Sequence, residues 1–267
     1  MEILGFLLAA LIGISLGLIG GGGSILTVPI LVYILGINPV LATSYSLFIV
    51  GTTSMVGAIN NYRKGFVSIK TSFLFGSSSI STVFLTRKLL VPKIPTILIT
   101  IAHYQITQSM AIMVLFAMLM LLASTAMIKE GKMNSASKDE TKLDSIPIFK
   151  LFIYGVLIGM ATGFLGAGGG FLLIPALVLI FKLPMKNAIG TSLLIIALNS
   201  LIGFTGDIGH VRINWNFLIL ITSIAIIGIF IGGLIAKKIN GNKLKKAFGW
   251  FVLIMSFYIL LKELLFA

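Results

Sequence analysis

The sequence predicts an all-α polytopic membrane protein: two repeats of four apolar segments, about eight transmembrane segments in all, with the first and fifth broken at glycine-rich stretches and the repeats inverted. Three observations carry this expectation. Of 267 residues, 58% are hydrophobic and only 10% charged, with a mean hydropathy of +1.12, more apolar surface than one soluble core can hide. Apolar stretches recur at roughly 3–35, 40–60, 66–90, 95–128, 148–181, 187–206, 214–236 and 245–266. The runs Gly20-Gly21-Gly22-Gly23-Ser24 and Gly166-Ala167-Gly168-Gly169-Gly170 each precede an apolar run that holds a proline, Pro29 or Pro175.

The amino terminus lacks the basic region of a cleavable signal, so the first segment is expected to stay as a spanning element. As one helix, residues 3–35 would be about 50 Å long against a hydrocarbon slab of about 30 Å. Clustered glycines release the backbone torsions and weaken a helix by about 1 kcal/mol each. The expected solution is a break between Gly20 and Ser24, repeated in the fifth segment. The remaining landmarks recur in order: Ala42-Thr43-Ser44 with Gly190-Thr191-Ser192, Gly65 to Ile69 with Gly209 to Ile213, and Arg87-Lys88 with Lys237-Lys238. Residues 1–128 thus form a first membrane repeat, 129–146 a polar cytoplasmic linker and 147–267 a second repeat. The extra Val91 to Ile106 makes the repeat imperfect before its fourth segment.

Charge sets the orientation. If segments one and five fold back at their glycines, fifteen of the twenty Lys and Arg residues lie on the linker side, as expected for a cytoplasmic face. Each half then makes an odd number of crossings, which inverts the second repeat and puts both termini outside. The net charge of +13 is thereby spent on loops, and nucleic acid is excluded as a partner because no basic, aromatic-interleaved soluble domain exists. With no cysteine, two histidines out of ligand spacing and no phosphate-loop motif, neither a metal, a cofactor nor bound ATP is expected, and no set of catalytic residues suggests an enzyme.

The candidate binding residues follow from the breaks. A helix restarting after a glycine run aims unpaired N–H groups and the positive end of its dipole inward, which favours an anion. Gly20, Gly21, Gly22, Gly23 and Ser24 in one half, and Gly166, Gly168, Gly169 and Gly170 in the other, supply this cradle, with the hydroxyls of Thr43, Ser44, Thr191 and Ser192 as further donors. Such hydroxyls equally often satisfy a carbonyl one turn back. His103, Gln105 and Asp207 are candidates for a polar or proton relay. Arg63, Arg87, Arg212 and His210, near span ends, suit an anionic cargo, though each taken singly reads more readily as an interface anchor and orientation signal. Only Asp207 among seven acids sits beside an apolar helix, which argues against a carboxylate-lined cation path.

The paired signatures at 17–29 and 163–175, with the Thr-Ser pairs, resemble the sulfite exporter TauE/SafE family over nearly the whole chain. The resemblance implies a multi-pass permease of the bacterial plasma (inner) membrane for small sulfur-containing anions such as sulfite, sulfoacetate or other organosulfonates. Family site residues carry over to the two glycine stretches and the Thr-Ser pairs. The expected activity is export of such an oxyanion by alternating access at the repeat interface. The alternatives are an anion channel or permease subunit relying on a partner ATPase, or a transporter of an unrelated small solute. The expected partners are the lipid bilayer and a small anionic substrate, and a homo-oligomer is compatible with the sequence.

Overall fold

The computed structural model describes residues 2–95, 97–101, 104–129, 148–166, 168–179, 181, 183–236 and 241–265. The described residues are almost wholly helical. The first half contains α1 (Glu2–Ile19), α2 (Thr27–Pro29), α3 (Pro39–Arg63), α4 (Ile69–Leu85) and α5 (Gln108–Lys129). The second contains α6 (Ile148–Leu165), α7 (Gly170–Leu179), α8 (Met185–Asp207), α9 (Trp215–Ala236) and α10 (Gly241–Leu265). Pro39–Arg63, Gln108–Thr125, Lys186–Asp207 and Trp215–Ala236 are long and apolar enough to cross a membrane; Gly5–Ile19, Ser24–Ile34 and Phe152–Leu165 are shorter apolar helices.

Local sequence fixes the helix ends. Pro39 enters the first turn of α3, where a missing N–H costs nothing, and Asn38 caps it by accepting from the Val40 N–H at 3.0 Å. Ser68 caps α4, accepting from the Thr71 N–H. Gly65 and Gly209, matched in the two halves, both adopt positive φ (74° and 93°) in the turns that follow α3 and α8. The fourth apolar segment departs from expectation at its start. Ile97–Ile101 and Tyr104–Thr107 form strands β1 and β2 of an antiparallel hairpin, so the extra sequence of the first half is a β element set before α5. Its alternating β-branched residues after Pro92 and Pro95 explain why no helix continues there.

The halves pack reciprocally. α1 lies along α9 and α6 along α4, while α3 crosses α8 and α5 crosses α10. Close approach depends on small residues, because lipid-facing helices gain little from hydrophobic burial against one another. On the α1–α9 contact, a Cβ added at Gly13 would collide with the Ala225 carbonyl, and one at Gly232 with the Ile14 carbonyl. Gly155, Gly159 and Gly163 of α6 meet Ser78, Ser79 and Thr86 on the α4 side in the same way. Many hydroxyls of α4 turn back onto their own helix, as Ser81 does to Ser77 O and Thr82 to Ser78 O.

Overpacking this seam should be costly. Gly13→Leu is expected to destabilise the detergent-purified protein by about 3 kcal/mol or more, whereas Leu11→Ala on the exposed face of α1 should change its melting temperature little. Thermal unfolding followed by size-exclusion chromatography would measure both.

Candidate functional site

Both glycine runs interrupt a helix. α1 stops at Ile19, still in the right-handed helical region with ψ of −4°, and Gly20 follows with φ of 71°. Residues Gly20–Leu26 then wind as a tight 3-10 segment that feeds α2 and a π-helical turn, Ile30–Ile34. In the second half Gly166, Gly168 and Gly169 all take positive φ (64°, 66° and 70°) before α7 begins at Gly170. Only glycine holds three such torsions so close together at low cost. The Gly166 N–H still reaches back to Thr162 O at 2.9 Å, and the Leu172 and Leu173 N–H groups both close on Gly169 O. The amides of Gly168, Gly169, Gly170 and Phe171 therefore occupy the turn and the first helical positions, which have no carbonyl of α7 one turn behind them.

Each break is seated against the Thr-Ser helix of the opposite half. A Cβ at Gly166 would overlap Thr43 of α3, and one at Gly20 would come within 2.7 Å of Ile189 of α8. The connecting turns reciprocate as well. The Ser68 N–H donates to Thr191 Oγ1 at 3.0 Å, and the Asn214 N–H donates to Tyr45 Oη at 2.8 Å.

Ser24, Thr43, Ser44, Thr191 and Ser192 are all buried, but their hydroxyls have different employment. Thr43 donates to Val40 O at 2.7 Å and Ser192 to Ile189 O at 2.9 Å, the local back-bonding of apolar helices. Ser44 donates to Asp207 Oδ2. Among the proposed relay residues, His103 lies outside the described residues, and Gln105 is exposed on β2. Asp207 is buried at the last position of α8, where its partners are Ser44 and Arg87.

Arg87 corrects the sequence reading. It is not an interface anchor but a wholly buried cation, 0% exposed, whose Nη1 donates to Asp207 Oδ2 at 3.0 Å. An acid at a helix C-terminus opposes the helix dipole. Asp207 is therefore held by the guanidinium and the hydroxyl together.

Two residues that the sequence reading passed over adjoin the second break. Thr162 Oγ1 and Ser200 Oγ are buried with no hydrogen-bond partner among the described residues. A Cβ at Gly169 would collide with Thr162 Oγ1, and one at Gly168 would lie 2.6 Å from Ser200 Oγ. Gly51 of α3 packs on Ser200 and Leu201 of α8, which puts this polar spot where the two long helices cross. Thr162 is a single polar residue in an apolar run and Ser200 has only Asn199 beside it, a weak signal without the fold. Buried polar groups are ordinarily paired, and hydroxyls without a partner among the described residues are fit to receive a polar guest.

The fold and the interrupted helices are those of a multi-pass membrane transporter. The chain belongs to the sulfite exporter TauE/SafE family, whose model matches residues 5–259. It is 29% identical over 253 residues to a probable membrane transporter protein of Xylella fastidiosa (strain Temecula1), covering 94% of this chain and 91% of that one. It is 25% identical over 266 residues to the probable membrane transporter protein YunE of Bacillus subtilis, with 88% of each chain covered. A probable membrane transporter protein of Haemophilus influenzae is 25% identical over 280 residues, covering 96% of this chain and 97% of its own. No solved structure matches the chain.

If Thr162 and Ser200 face the transported solute, Thr162→Val and Ser200→Ala should leave thermal stability unchanged or slightly raised, since no internal hydrogen bond is lost. The same variants should lower transport several-fold in reconstituted vesicles.

Proposed function

We propose that the protein exports small sulfur-containing oxyanions, such as sulfite, sulfoacetate or other organosulfonates, across the bacterial inner membrane by alternating access at the interface of two inverted repeats. The observation that carries this reading is the second helix break. Gly168 and Gly169 lie against the hydroxyls of Ser200 and Thr162, which have no partner among the described residues, and Ser200 stands where α3 packs on α8. Amide and hydroxyl donors at the start of a half-helix suit an oxyanion, whose several oxygens accept hydrogen bonds and whose charge answers the dipole.

In this reading the glycine stretches of both halves, Gly20 to Ser24 and Gly166 to Gly170, form the binding element, and residues 1–128 and 147–267 are the moving repeats. Residues 129–146 join them on the cytoplasmic face. Thr43 and Ile189 mark the seats on which the opposing breaks rest, and rocking one repeat against the other shifts both seats together. Export follows from energetics: one negative charge leaving a cell that is negative inside gains about 2.3 kcal/mol per 100 mV. The family name supports a sulfur oxyanion as cargo.

Proteoliposomes loaded with radiolabelled sulfite or sulfoacetate test this reading. The wild-type chain should release label faster when the membrane potential drives anions outward. Gly22→Leu and Gly168→Leu, checked for monodispersity, should cut that flux at least tenfold. Undiminished flux in a folded Gly168→Leu protein would remove the break from the binding site.

A further inference from the structure

Arg87 raises a question that its salt bridge does not answer. The side chain is completely buried, and of its guanidinium nitrogens only Nη1 is engaged, by Asp207 Oδ2. Nε and Nη2 are buried without a hydrogen-bond partner among the described residues. A protein that encloses a cation ordinarily satisfies its donors, because each unpaired donor carries its full desolvation cost. The two idle nitrogens are also not an arbitrary pair. Nε and Nη2 flank one edge of the planar guanidinium, the fork that matches two oxygens of a carboxylate, sulfonate or phosphate.

The surroundings connect Arg87 to the helix that seats the second break. Arg87 stands in the π-helical turn Thr86–Leu90 that extends α4. A Cβ at Gly163 of α6 would come within 2.7 Å of the Thr86 side chain, and one at Gly206 of α8 within 3.1 Å of Arg87 Cβ. Ser44, which donates to Asp207, follows Thr43, the seat of the Gly166 break. The guanidinium is thus tied to α8 through Asp207 and, through Asp207 and Ser44, to α3, whose Thr43 seats the Gly166 break.

We propose that Arg87 is an anion-binding residue of the transport path, gripping two oxygens of a small oxyanion through Nε–H and Nη2–H. Asp207 and Ser44 act as positioning residues: they occupy Nη1 and hold the plane of the fork. This assignment rests on the reading of the chain as an anion carrier and adds a fixed positive charge to a site otherwise made of neutral amides and hydroxyls. The ligand class it selects is an anion presenting two coplanar acceptor oxygens, such as sulfite or an organosulfonate.

The alternative role is structural, with Arg87 serving only to neutralise Asp207. The double variant Arg87→Met/Asp207→Leu separates the two, because an apolar pair of similar volume commonly replaces a buried ion pair without loss of stability. Ligand-dependent thermal stabilisation of the purified full chain would be titrated with sulfite, sulfate, thiosulfate, sulfoacetate and taurine. The wild-type protein should be stabilised by at least one of these anions, and the double variant should require at least tenfold more of it. Arg87→Lys, which keeps the charge and the partner but lacks the planar fork, should show a loss of the same order. Wild-type affinity in the double variant would overturn the proposal and leave Arg87 as a counter-ion alone. If the double variant does not fold, wild-type affinity in Arg87→Lys would overturn it equally. If no anion of the panel stabilises the wild-type chain, the anion-carrier reading itself falls, and this assignment with it.

Discussion

An interrupted helix inside a bilayer has nowhere to put its backbone except inside the protein. Lipid offers no hydrogen bonds, so irregular backbone at membrane depth is tolerated only where protein or a water-lined path surrounds it. Gly20 and Gly166 end α1 and α6 within apolar segments, and the rest of the architecture answers that constraint. Each break is covered by the helix of the other half that carries Thr43 or Thr191, and each outer helix, α1 or α6, lies along the partner half through α9 or α4. Each break is thus enclosed by both halves: the second also rests on its own half, where Gly168 meets Ser200 and Ile196 of α8 and Gly169 meets Thr162 of α6.

Much of this was legible because glycine is conspicuous where side chains are otherwise large and apolar. Consecutive glycines followed by proline located both breaks to within a residue or two, and the ordered Thr-Ser and Gly landmarks marked the seats and the turns. Gly65 and Gly209, aligned from sequence, do share a positive φ. What could not be read was whatever depended on contacts distant along the chain. Arg87 followed by Lys88 resembles the basic stop at any membrane edge, and only the arrival of Asp207 from α8 shows it to be interior. Thr162 and Ser200 are lone hydroxyls in apolar runs, indistinguishable from the many that bond their own helix until their neighbours are known. The hairpin was hidden differently. The Ile97 to Ile101 run is apolar enough to merge with α5, and its β-branched composition was the available clue.

The Thr-Ser pairs illustrate how identical dipeptides acquire different tasks. Thr43 turns back on its own helix while Thr191 receives the Ser68 amide; Ser44 reaches across to Asp207 while Ser192 bonds Ile189 O. Both dipeptides sit buried on helices of similar length. The polar connections diverged, because a hydroxyl can rotate between acceptors at little cost.

Among the described residues, the Arg87–Asp207 pair has no counterpart at the matching end of α3. By the alignment of the turns, the position of Asp207 corresponds in the first half to Arg63, which is exposed at the end of α3. The pair ties the turn after α4 to the end of α8. Any movement that parts those two elements must strand a carboxylate and a guanidinium, both out of reach of water, so this corner of the bundle resists shear more strongly than one closed by apolar side chains alone.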